Sequence, residues 1–264
     1  MTPELEEVEQ AAWTAQYTGL AEVDPDLGPL AVPVAGLHVH GVAGWPESPW
    51  HNTVTGAGLR TPLREQALDV ALALLARLHA QHPVVQVAEG AEVPPAWLAA
   101  RGLAPSGPLL RMSAPTGGDP APEGPLRVEA VGPSAGSTVA AVCLRGFGSV
   151  DQRWWRAGLG RDGWTQVVAY AGDVAVATGA LFVAGEEAWL GSATTVPDSR
   201  RRGAHSALVA ARLRLAAEQG ARRASVKCAH GSPSHRSLVR AGFTPSHRVM
   251  QWRGNLQAPS RVSP

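Results

Sequence analysis

Three consecutive arginines run into a glycine at the point where a long helix is predicted to begin. They form the segment Arg200–Gly203, and the alanine- and leucine-rich residues that follow keep apolar side chains over a wide arc as far as Gln219. A helix N-terminus is the positive end of the helix dipole, so neighbouring cations repel it unless an anion binds there. The free N–H groups of the first turn, with no side chain at Gly203 to hold a ligand off, would cradle a phosphate. The segment therefore predicts a pyrophosphate site; the alternative is that the arginines only solvate the start of the helix.

Other residues that could do chemistry give weaker signals. The aromatic cluster RWWRAGLGRDGW contains Trp154 and Trp155, which are interpreted either as core residues or as the wall of a pocket. The two cysteines, Cys143 and Cys228, are too few for a disulfide framework and fit a reducing compartment. Cys143 has no histidine nearby in the sequence, so a nucleophilic role is not predicted. No cysteine or histidine spacing typical of a metal site occurs, and we predict no metal.

The composition narrows the class of protein. With 45% hydrophobic and 17% charged residues, the chain has ample material for a globular core. The net charge of +1 gives no general reason to expect nucleic acid or a membrane as a partner. The acidic first residues, MTPELEEVEQ, lack the apolar core of a secretory signal, and no apolar segment is long enough to span a bilayer. We expect a cytoplasmic protein.

A segment rich in proline, glycine and small residues divides the chain. It is Ser113–Pro125, with the sequence SAPTGGDPAPEGP, and it shows no apolar period. We therefore predict two domains, residues 1–112 and residues 126–253, joined by this linker. Residues 254–264 are predicted to form a flexible tail.

The two halves end alike, which indicates a duplicated domain. The segments Leu98–Met112 and Leu238–Trp252 match at a constant offset, and each is predicted to be a short helix, a glycine stop and a strand. Each copy also follows a longer helix and a strand. In the second half, strands are predicted on both sides of one central helix, with a hairpin turn at Gly172 and Asp173. The fold class is α/β (α+β) with a mixed sheet.

The arginine–glycine segment is part of a longer pattern that resembles motif A of the GNAT superfamily of acyl-CoA-dependent N-acetyltransferases. The family's pattern is [RQ]-x-x-G-x-[GA]; Arg200–His205 reads RRRGAH and follows the tripeptide VPD of Val196–Asp198. The later segment LVRAGF, Leu238–Phe243, is similar to the family's helix–glycine–aromatic element and stands at a typical distance. The resemblance covers about Leu126 to Arg253. Neither the GK[ST] of a Walker loop nor the GxGxxG of a dinucleotide site is present.

The resemblance implies a mixed, mostly antiparallel sheet flanked by helices, in which two splayed strands admit the pantetheine arm of acetyl-CoA as cosubstrate. It implies that the pyrophosphate binds to the first-turn amides and that the pantetheine amides pair with the strand before the loop. The residues so implied for acetyl-CoA are Thr194, Thr195, Val196, Arg201, Arg202, Gly203, Ala204, His205 and Ser206. In the family the acceptor amine binds where this sequence has Trp154 and Trp155.

Three positions depart from the family's pattern. His205 stands where glycine or alanine is usual, so its imidazole either contacts a phosphate or points away. Leu238 and Gly231 stand where many members carry a tyrosine and an asparagine, so a proton donor must come from elsewhere or the thiolate leaves unassisted. The chemistry also needs a base, because an alkylammonium has a pKa of about 10.4 and attacks only when neutral. Glu187, on the strand that leads into motif A, is the candidate general base; the alternative is an exposed charge at a hairpin.

The first half is expected to have the same fold without the acyl-CoA site. By the same offset its motif A should fall at Arg60–Glu65, with the sequence RTPLRE. This segment contains no glycine, and Pro62 supplies no N–H to a phosphate. We expect a degenerate GNAT-like domain that covers the sheet or walls the acceptor pocket.

We therefore predict an N-acetyltransferase that moves an acetyl group from acetyl-CoA to a primary amine by direct attack. The acceptor would be a small molecule or a peptide, and the protein would act as a monomer or a homodimer without nucleic acid or membrane. The alternative from another class is a non-catalytic acyl-CoA-binding module, which keeps the cradle but lacks the acid and the base. Acyl transfer from an RNA-borne donor is disfavoured by the weak net charge.

Overall fold

The computed structural model describes residues 2–117, 126–148 and 151–255. Residues 118–125 of the predicted linker and residues 256–264 of the predicted tail lie outside the described residues. The described helices are α1 Pro3–Val23, α2 Glu65–Arg77, α3 Pro95–Ala99, α4 Gly136–Phe147, α5 Gln152–Ala157, α6 Ala204–Glu218 and α7 Pro233–Arg240. The described strands are β1 Pro29–Val34, β2 Leu37–Val42, β3 Thr53–Thr55, β4 Val84–Ala88, β5 Ala104–Pro115, β6 Leu126–Val131, β7 Trp164–Ala171, β8 Val174–Ala184, β9 Glu187–Thr195, β10 Arg223–Cys228 and β11 Thr244–Arg253. None of these helices combines the length and the hydropathy that crossing a membrane requires.

The chain divides into two compact units whose bounds differ from those of the predicted domains. The first unit comprises Asp24–Leu109 and the residues from His247 onward, and the second comprises Thr2–Val23 and Leu110–Ser246. Helix α1 belongs to the second unit, because its apolar residues pack on strands of that unit. Strand β5 begins in the first unit and ends in the second, whereas β11 begins in the second and ends in the first.

The sheet of the second unit has the strand order β5-β10-β9-β8-β7-β6. Neighbouring strands are antiparallel except β10 and β9, which are parallel because α6 crosses back between them. The predicted hairpin is present: β7 ends at Ala171, β8 begins at Val174, and Gly172 in the turn has a φ of 59°. The predicted class, a mixed and mostly antiparallel sheet flanked by helices, is confirmed.

Helices cover both faces of this sheet. On one face, Val209 and Leu213 of α6 pack against Leu190 of β9. On the other face, Val8 of α1 packs in a cluster with Trp189, the residue before Leu190. Successive side chains of a strand point to opposite faces, so β9 is buried on both sides. Each fully buried apolar side chain of this size contributes about 1.5–3 kcal/mol, and the two layers hold β9 in place.

The first unit has the strand order β1-β2-β3-β4-β11, with β3 and β4 parallel and the other described pairs antiparallel. Helix α2 connects β3 to β4 and buries Leu68 and Leu75 in the core. The order strand, helix, parallel strand, short helix, long strand occurs twice, as β3-α2-β4-α3-β5 and as β9-α6-β10-α7-β11. Helix α2 begins at Glu65, and Arg64 before it is extended, with a φ of −89°.

Candidate functional site

The loop between β9 and α6 turns sharply before the helix begins. A 3₁₀ turn at Pro197–Ser199 follows β9, and two left-handed residues complete the change of direction, Arg201 with a φ of 64° and Gly203 with a φ of 82°. Left-handed backbone costs a residue other than glycine about 1–2 kcal/mol. A Cβ built on Gly203 would have no heavy atom within 4 Å. No described residue therefore fills the space beside Gly203 at the start of the helix.

The first turn of α6 presents backbone donors to this space. The first intrahelical bond joins Ala207 N to Gly203 O at 3.0 Å, so the N–H groups of Ala204, His205 and Ser206 precede the helix's own hydrogen-bond pattern. No side chain caps the N-terminus at Gly203. Three N–H groups at the positive end of a 15-residue helix are an arrangement that suits an anion. We name residues 203–206 the cradle.

The three arginines of the loop have different roles. The guanidinium of Arg200 donates to Thr195 O and to Gly146 O, both at 3.3 Å, and so ties the loop to the end of β9 and to α4. Arg201 and Arg202 are exposed, and within the described part of the chain no ion pair of either is found. Two unpaired cations therefore stand beside the cradle, as an anionic ligand would require.

Strands β9 and β10 separate along the part of β9 that leads to the cradle. Their parallel pairing runs from Glu187 with Arg223 to Trp189 with Ser225 and then stops, while β9 continues along β8 as far as Thr195. A bulge accompanies the separation: the β8–β9 register shifts between Thr178 and Ala180, and Ser192 in β9 has a φ of 47°. The edge of β9 from residue 190 to 195 is left without β10. We name this gap the split.

Comparisons with known proteins bear on this arrangement. No protein-family model matches the chain, and no curated protein matches it. A solved GCN5-related N-acetyltransferase from Kribbella flavida is similar over 96% of this chain and 96% of that chain, at 16% identity and a TM-score of 0.64. One from Sphaerobacter thermophilus is similar over 97% and 94%, at 16% identity and a TM-score of 0.60. A tandem GNAT protein from the clavulanic acid biosynthesis pathway is similar over 94% and 96%, at 15% identity and a TM-score of 0.54.

The chain has the GNAT fold. The fold that the sequence resemblance implies is thereby confirmed. The structure brings Thr194, Thr195 and Val196 together with the cradle at one end of β9. Thr194 is held there by α4, since a Cβ on Gly146 would overlap its side chain. The nine residues implied for acetyl-CoA thus lie on one continuous loop and its two flanking elements.

A buried arginine in α6 spans the bulge of this GNAT fold. Arg212 is only 2% exposed; its Nη1 donates to Ala180 O at 3.0 Å and to Gly191 O at 3.3 Å, and its Nε donates to Leu208 O at 3.1 Å. Gly179 makes room, because a Cβ there would lie 3.0 Å from the guanidinium carbon. Burial lowers the pKa of Arg212 to about 10. This role of Arg212 was not predicted from the sequence, since an arginine in a helix ordinarily reaches solvent.

His205 turns into the protein and not toward the open space. Its Nε2 lies 3.4 Å from Ser234 Oγ on α7. Burial, assisted by the charge of Arg212, lowers the pKa of His205 to about 4. The imidazole is therefore neutral at physiological pH, and the cradle receives only the backbone N–H of this residue.

We predict that His205 makes the protein less stable in mild acid. Between about pH 6.5, the ordinary pKa of histidine, and pH 4, the unfolded chain binds a proton at His205 that the folded chain does not. The free energy of unfolding should fall through this window by up to about 1.4 kcal/mol per pH unit. Urea denaturation from pH 7 to pH 4 should show a shallower fall for His205→Gln; an unchanged slope would contradict the assignment.

Glu187 is not brought together with the cradle. It opens β9, at the end opposite to Thr195 and about 25 Å away at roughly 3.3 Å per strand residue. Its two oxygens accept from Arg223, Oε2 from Nε at 3.0 Å and Oε1 from Nη2 at 2.5 Å. A carboxylate bonded in this way ties β9 to β10, and we do not carry Glu187 forward as the general base.

Replacing Glu187 should therefore affect stability and not chemistry. Because this ion pair is only partly buried, Glu187→Gln should lower the free energy of unfolding by about 1 kcal/mol or less. For the acetyl transfer proposed below, the rate should stay within about twofold. A large loss of kcat in a variant that remains folded would return Glu187 to the role of a base.

The two adjacent tryptophans lie in different surroundings. Trp154 is buried against α1, with its ring centroid 5.0 Å from that of Tyr17, and its carbonyl accepts from Gln16 Nε2 at 3.0 Å. Trp155 stacks on Phe147 at 5.1 Å, and its buried indole Nε1 has no hydrogen-bond partner among the described residues. Phe147 follows Gly146, which packs on Thr194. Trp154 therefore packs in the core against α1, and Trp155 packs against the last residue of α4.

The other candidate groups lie in the core. Cys143 and Cys228 are free and buried, and burial raises the pKa of both thiols, so they stay protonated. Leu238 is 1% exposed and packs in the cluster between α6 and the sheet.

A buried ionic cluster on the α1 face was also missed from the sequence. Arg111 of β5 donates through Nε to Glu6 Oε1 at 2.7 Å and pairs through Nη2 with Glu9. Lys227 Nζ of β10 lies 2.7 Å from Glu9 Oε2. We name these four residues the ionic cluster. The sequence signal for this cluster is the spacing of the polar residues Glu6, Glu9 and Gln10, which share one face of α1.

Proposed function

We propose that this protein is an N-acetyltransferase that transfers the acetyl group of acetyl-CoA to a primary amine. The observation that carries the proposal is the uncapped first turn of α6, which opens onto free space beside two unpaired arginines in a GNAT fold. An N-terminus with three free donors and nearby guanidinium groups suits a pyrophosphate.

The residues present fit acetyl-CoA. The amides of residues 202–206 would hold the pyrophosphate, with Arg201 or Arg202 alongside. Backbone groups of Thr194–Val196 would pair with the pantetheine amides, because β9 is free of β10 at the split. The carbonyl of Thr195 already accepts from Arg200, but a carbonyl has two lone pairs and can accept again. When bound, acetyl-CoA supplies an acetyl group activated as a thioester.

The chain's own groups support direct attack by the amine. The acceptor must reach the thioester as a neutral amine, since its ordinary pKa of about 10.4 keeps it protonated at neutral pH. Both thiols are buried and protonated, which argues against a cysteine acyl-enzyme. Leu238, in the core, cannot donate a proton to the departing thiolate.

A non-catalytic acyl-CoA-binding module is the second candidate function. It is favoured by the apolar Leu238 at the position of the family's tyrosine and by the ion pair that engages Glu187. The two functions share the cradle and differ only in turnover.

Calorimetric titration with acetyl-CoA tests the cradle, and release of free CoA thiol in the presence of a panel of primary amines tests turnover. Micromolar binding of acetyl-CoA, together with release of CoA thiol in the presence of at least one amine, supports the acetyltransferase. Binding without any release supports the non-catalytic module. Absence of binding would overturn both and leave the arginines as a solvated helix start.

A further inference from the structure

The ionic cluster lies on the face of the second unit that α1 covers, beside the split. Arg111 and Lys227 are direct neighbours across β5 and β10. Lys227 stands two residues after Ser225, the last β10 residue that pairs with β9. Trp189, the partner of Ser225, packs in a cluster with Val8 and Ala12 of α1. Glu9, on the same turn of α1 as Val8, pairs with Lys227. The cluster thus borders the point at which the two strands part.

Two buried donors, one in the ionic cluster and one on the same face of α1, have no partner in the described part of the chain. Arg111 is 0% exposed, and its Nη1 makes no hydrogen bond to any described residue. Gln10 is 5% exposed, and its Nε2 is likewise without a partner in the described ranges. Gln10 follows Glu6 by one helical turn and so shares its face of α1. Buried donors are normally satisfied, so an acceptor oxygen from outside the chain is expected here.

The charges of the ionic cluster define what that acceptor can be. Arg111 and Lys227 carry two positive charges, and Glu6 and Glu9 carry two negative charges, so the cluster is already balanced. A lone anion would leave a buried net charge, which is unfavourable. A ligand that carries both an ammonium and a carboxylate keeps the balance on binding, because its carboxylate meets the free donors and its ammonium meets the acidic side chains. The ammonium must then lose a proton to solvent before its nitrogen attacks the thioester. The C–S bond breaks, CoA leaves as the thiolate, and the second proton of the amine makes it the free thiol.

We propose that the acceptor is an amine with a carboxylate on the adjacent carbon, as in an α-amino acid, and that Arg111 Nη1 and Gln10 Nε2 receive this carboxylate. The proposal rests on the proposed acetyl transfer, for which it names the substrate class. The carboxylate holds the amine beside the split, where the thioester would lie. Arg111 and Gln10 are then binding residues, and their contribution should appear mainly in KM.

The test compares matched amines. Thiol release from acetyl-CoA is measured with the twenty common α-amino acids, with their amides and with the corresponding decarboxylated amines. For the best side chain, kcat/KM should be at least about tenfold higher for the amino acid than for the decarboxylated amine, equivalent to about 1.4 kcal/mol. Equal rates, or a preference for the amide or the decarboxylated amine, would overturn the proposal. So would the absence of reaction with every amino acid when another amine reacts.

Two variants and a matched control test whether Gln10 and Arg111 cause the preference for the amino acid over its decarboxylated amine. Gln10→Leu should reduce it to less than about threefold through a higher KM, and Arg111→Lys, which keeps the charge but removes Nη1, should do the same. Gln16→Leu is the control: Gln16 is equally buried on α1, but its amide is already bonded to Trp154 O. It should lower stability and leave the preference unchanged. A preference that survives Gln10→Leu and Arg111→Lys would overturn the assignment.

A binding measurement separates this proposal from the proposed function. Without acetyl-CoA, the preferred amino acid should raise the melting temperature of the wild type, and its decarboxylated amine should not. If acetyl-CoA binds but no amino acid raises the melting temperature or reacts, the proposed carboxylate site is wrong and the acetyl-CoA site is kept. If an amino acid raises the melting temperature but calorimetry shows no acetyl-CoA binding, the proposed acetyl transfer is wrong and the carboxylate site is kept.

Discussion

Replacing Gly203 with glutamate is expected to weaken acetyl-CoA binding by at least about 100-fold. The new side chain would start from a left-handed residue and enter the open space in front of α6, where the three free N–H groups point. Its carboxylate would occupy the cradle and repel the pyrophosphate. Losing two charge-assisted hydrogen bonds of about 1.5–3 kcal/mol each corresponds to this factor or more. Calorimetric titration measures the change.

The C-terminal end of the same helix offers a matched control. Gly220 has a φ of 91° and also has no heavy atom within 4 Å of a built Cβ. Gly220→Glu therefore imposes a similar backbone cost without touching the cradle, and acetyl-CoA should bind it as tightly as the wild type. Gly203→Gln separates charge from bulk and should bind with intermediate affinity. Equal affinity in Gly203→Glu and the wild type would show that the cradle does not bind the ligand.

Replacing Arg111 with methionine is expected to lower the free energy of unfolding by about 3–5 kcal/mol. Removing one partner of a buried ion pair leaves the opposite charge uncompensated, which is the costly case. Here Glu6 loses its guanidinium, while Glu9 keeps Lys227. The carboxyl of Glu6 should then bind a proton more readily in the folded variant than in the unfolded chain. The deficit should therefore shrink as the pH falls from 7 to 5, and urea denaturation at several pH values would show it.

Arg101 provides the comparison in the first unit. It also contacts two carboxylates, Glu65 at 3.0 Å and Asp69 at 2.7 Å, but both are largely exposed. Arg101→Met should cost only about 1 kcal/mol or less, because solvent screens the pairs that it breaks. If the two methionine variants lose equal stability, burial of the ionic cluster is not the source of the effect.

The local features of the site could be predicted from the sequence, because they depend on short patterns. The arginines and Gly203 indicated the start of α6, which begins one residue later, and Gly172 marked the hairpin. The place of α1 could not be predicted. Its apolar residues are interrupted by buried polar ones, and the partners that make their burial possible, Arg111 and Lys227, lie far away in the sequence. Periodicity identifies a helix but does not tell which sheet it covers.

Arg212 escaped prediction for a related reason. Its partners are backbone carbonyls at a bulge, and a bulge leaves no mark in the residue types of the strand that faces it. His205 could be placed at the start of the helix, but the sequence left open whether its imidazole contacts a phosphate or points away. Its burial and its contact with Ser234 decide that it points away. Tertiary contacts of this kind decide whether a polar side chain serves a ligand or the fold.

The passage of β5 and β11 from one unit to the other has a consequence for synthesis on the ribosome. Strand β4 pairs with β3 on one edge, but in the described part of the chain its other edge is paired by residues 249–253 of β11. The nearby bond from Arg248 N to Glu89 joins residues 159 positions apart. Most of the chain must therefore be translated before the sheet of the first unit can close. Until then the valine-rich edge of β4 is an unpaired template for aggregation, as sheet edges are in slowly completed folds. A nascent chain stalled before β11 should be an early client of the chaperones that shield such edges.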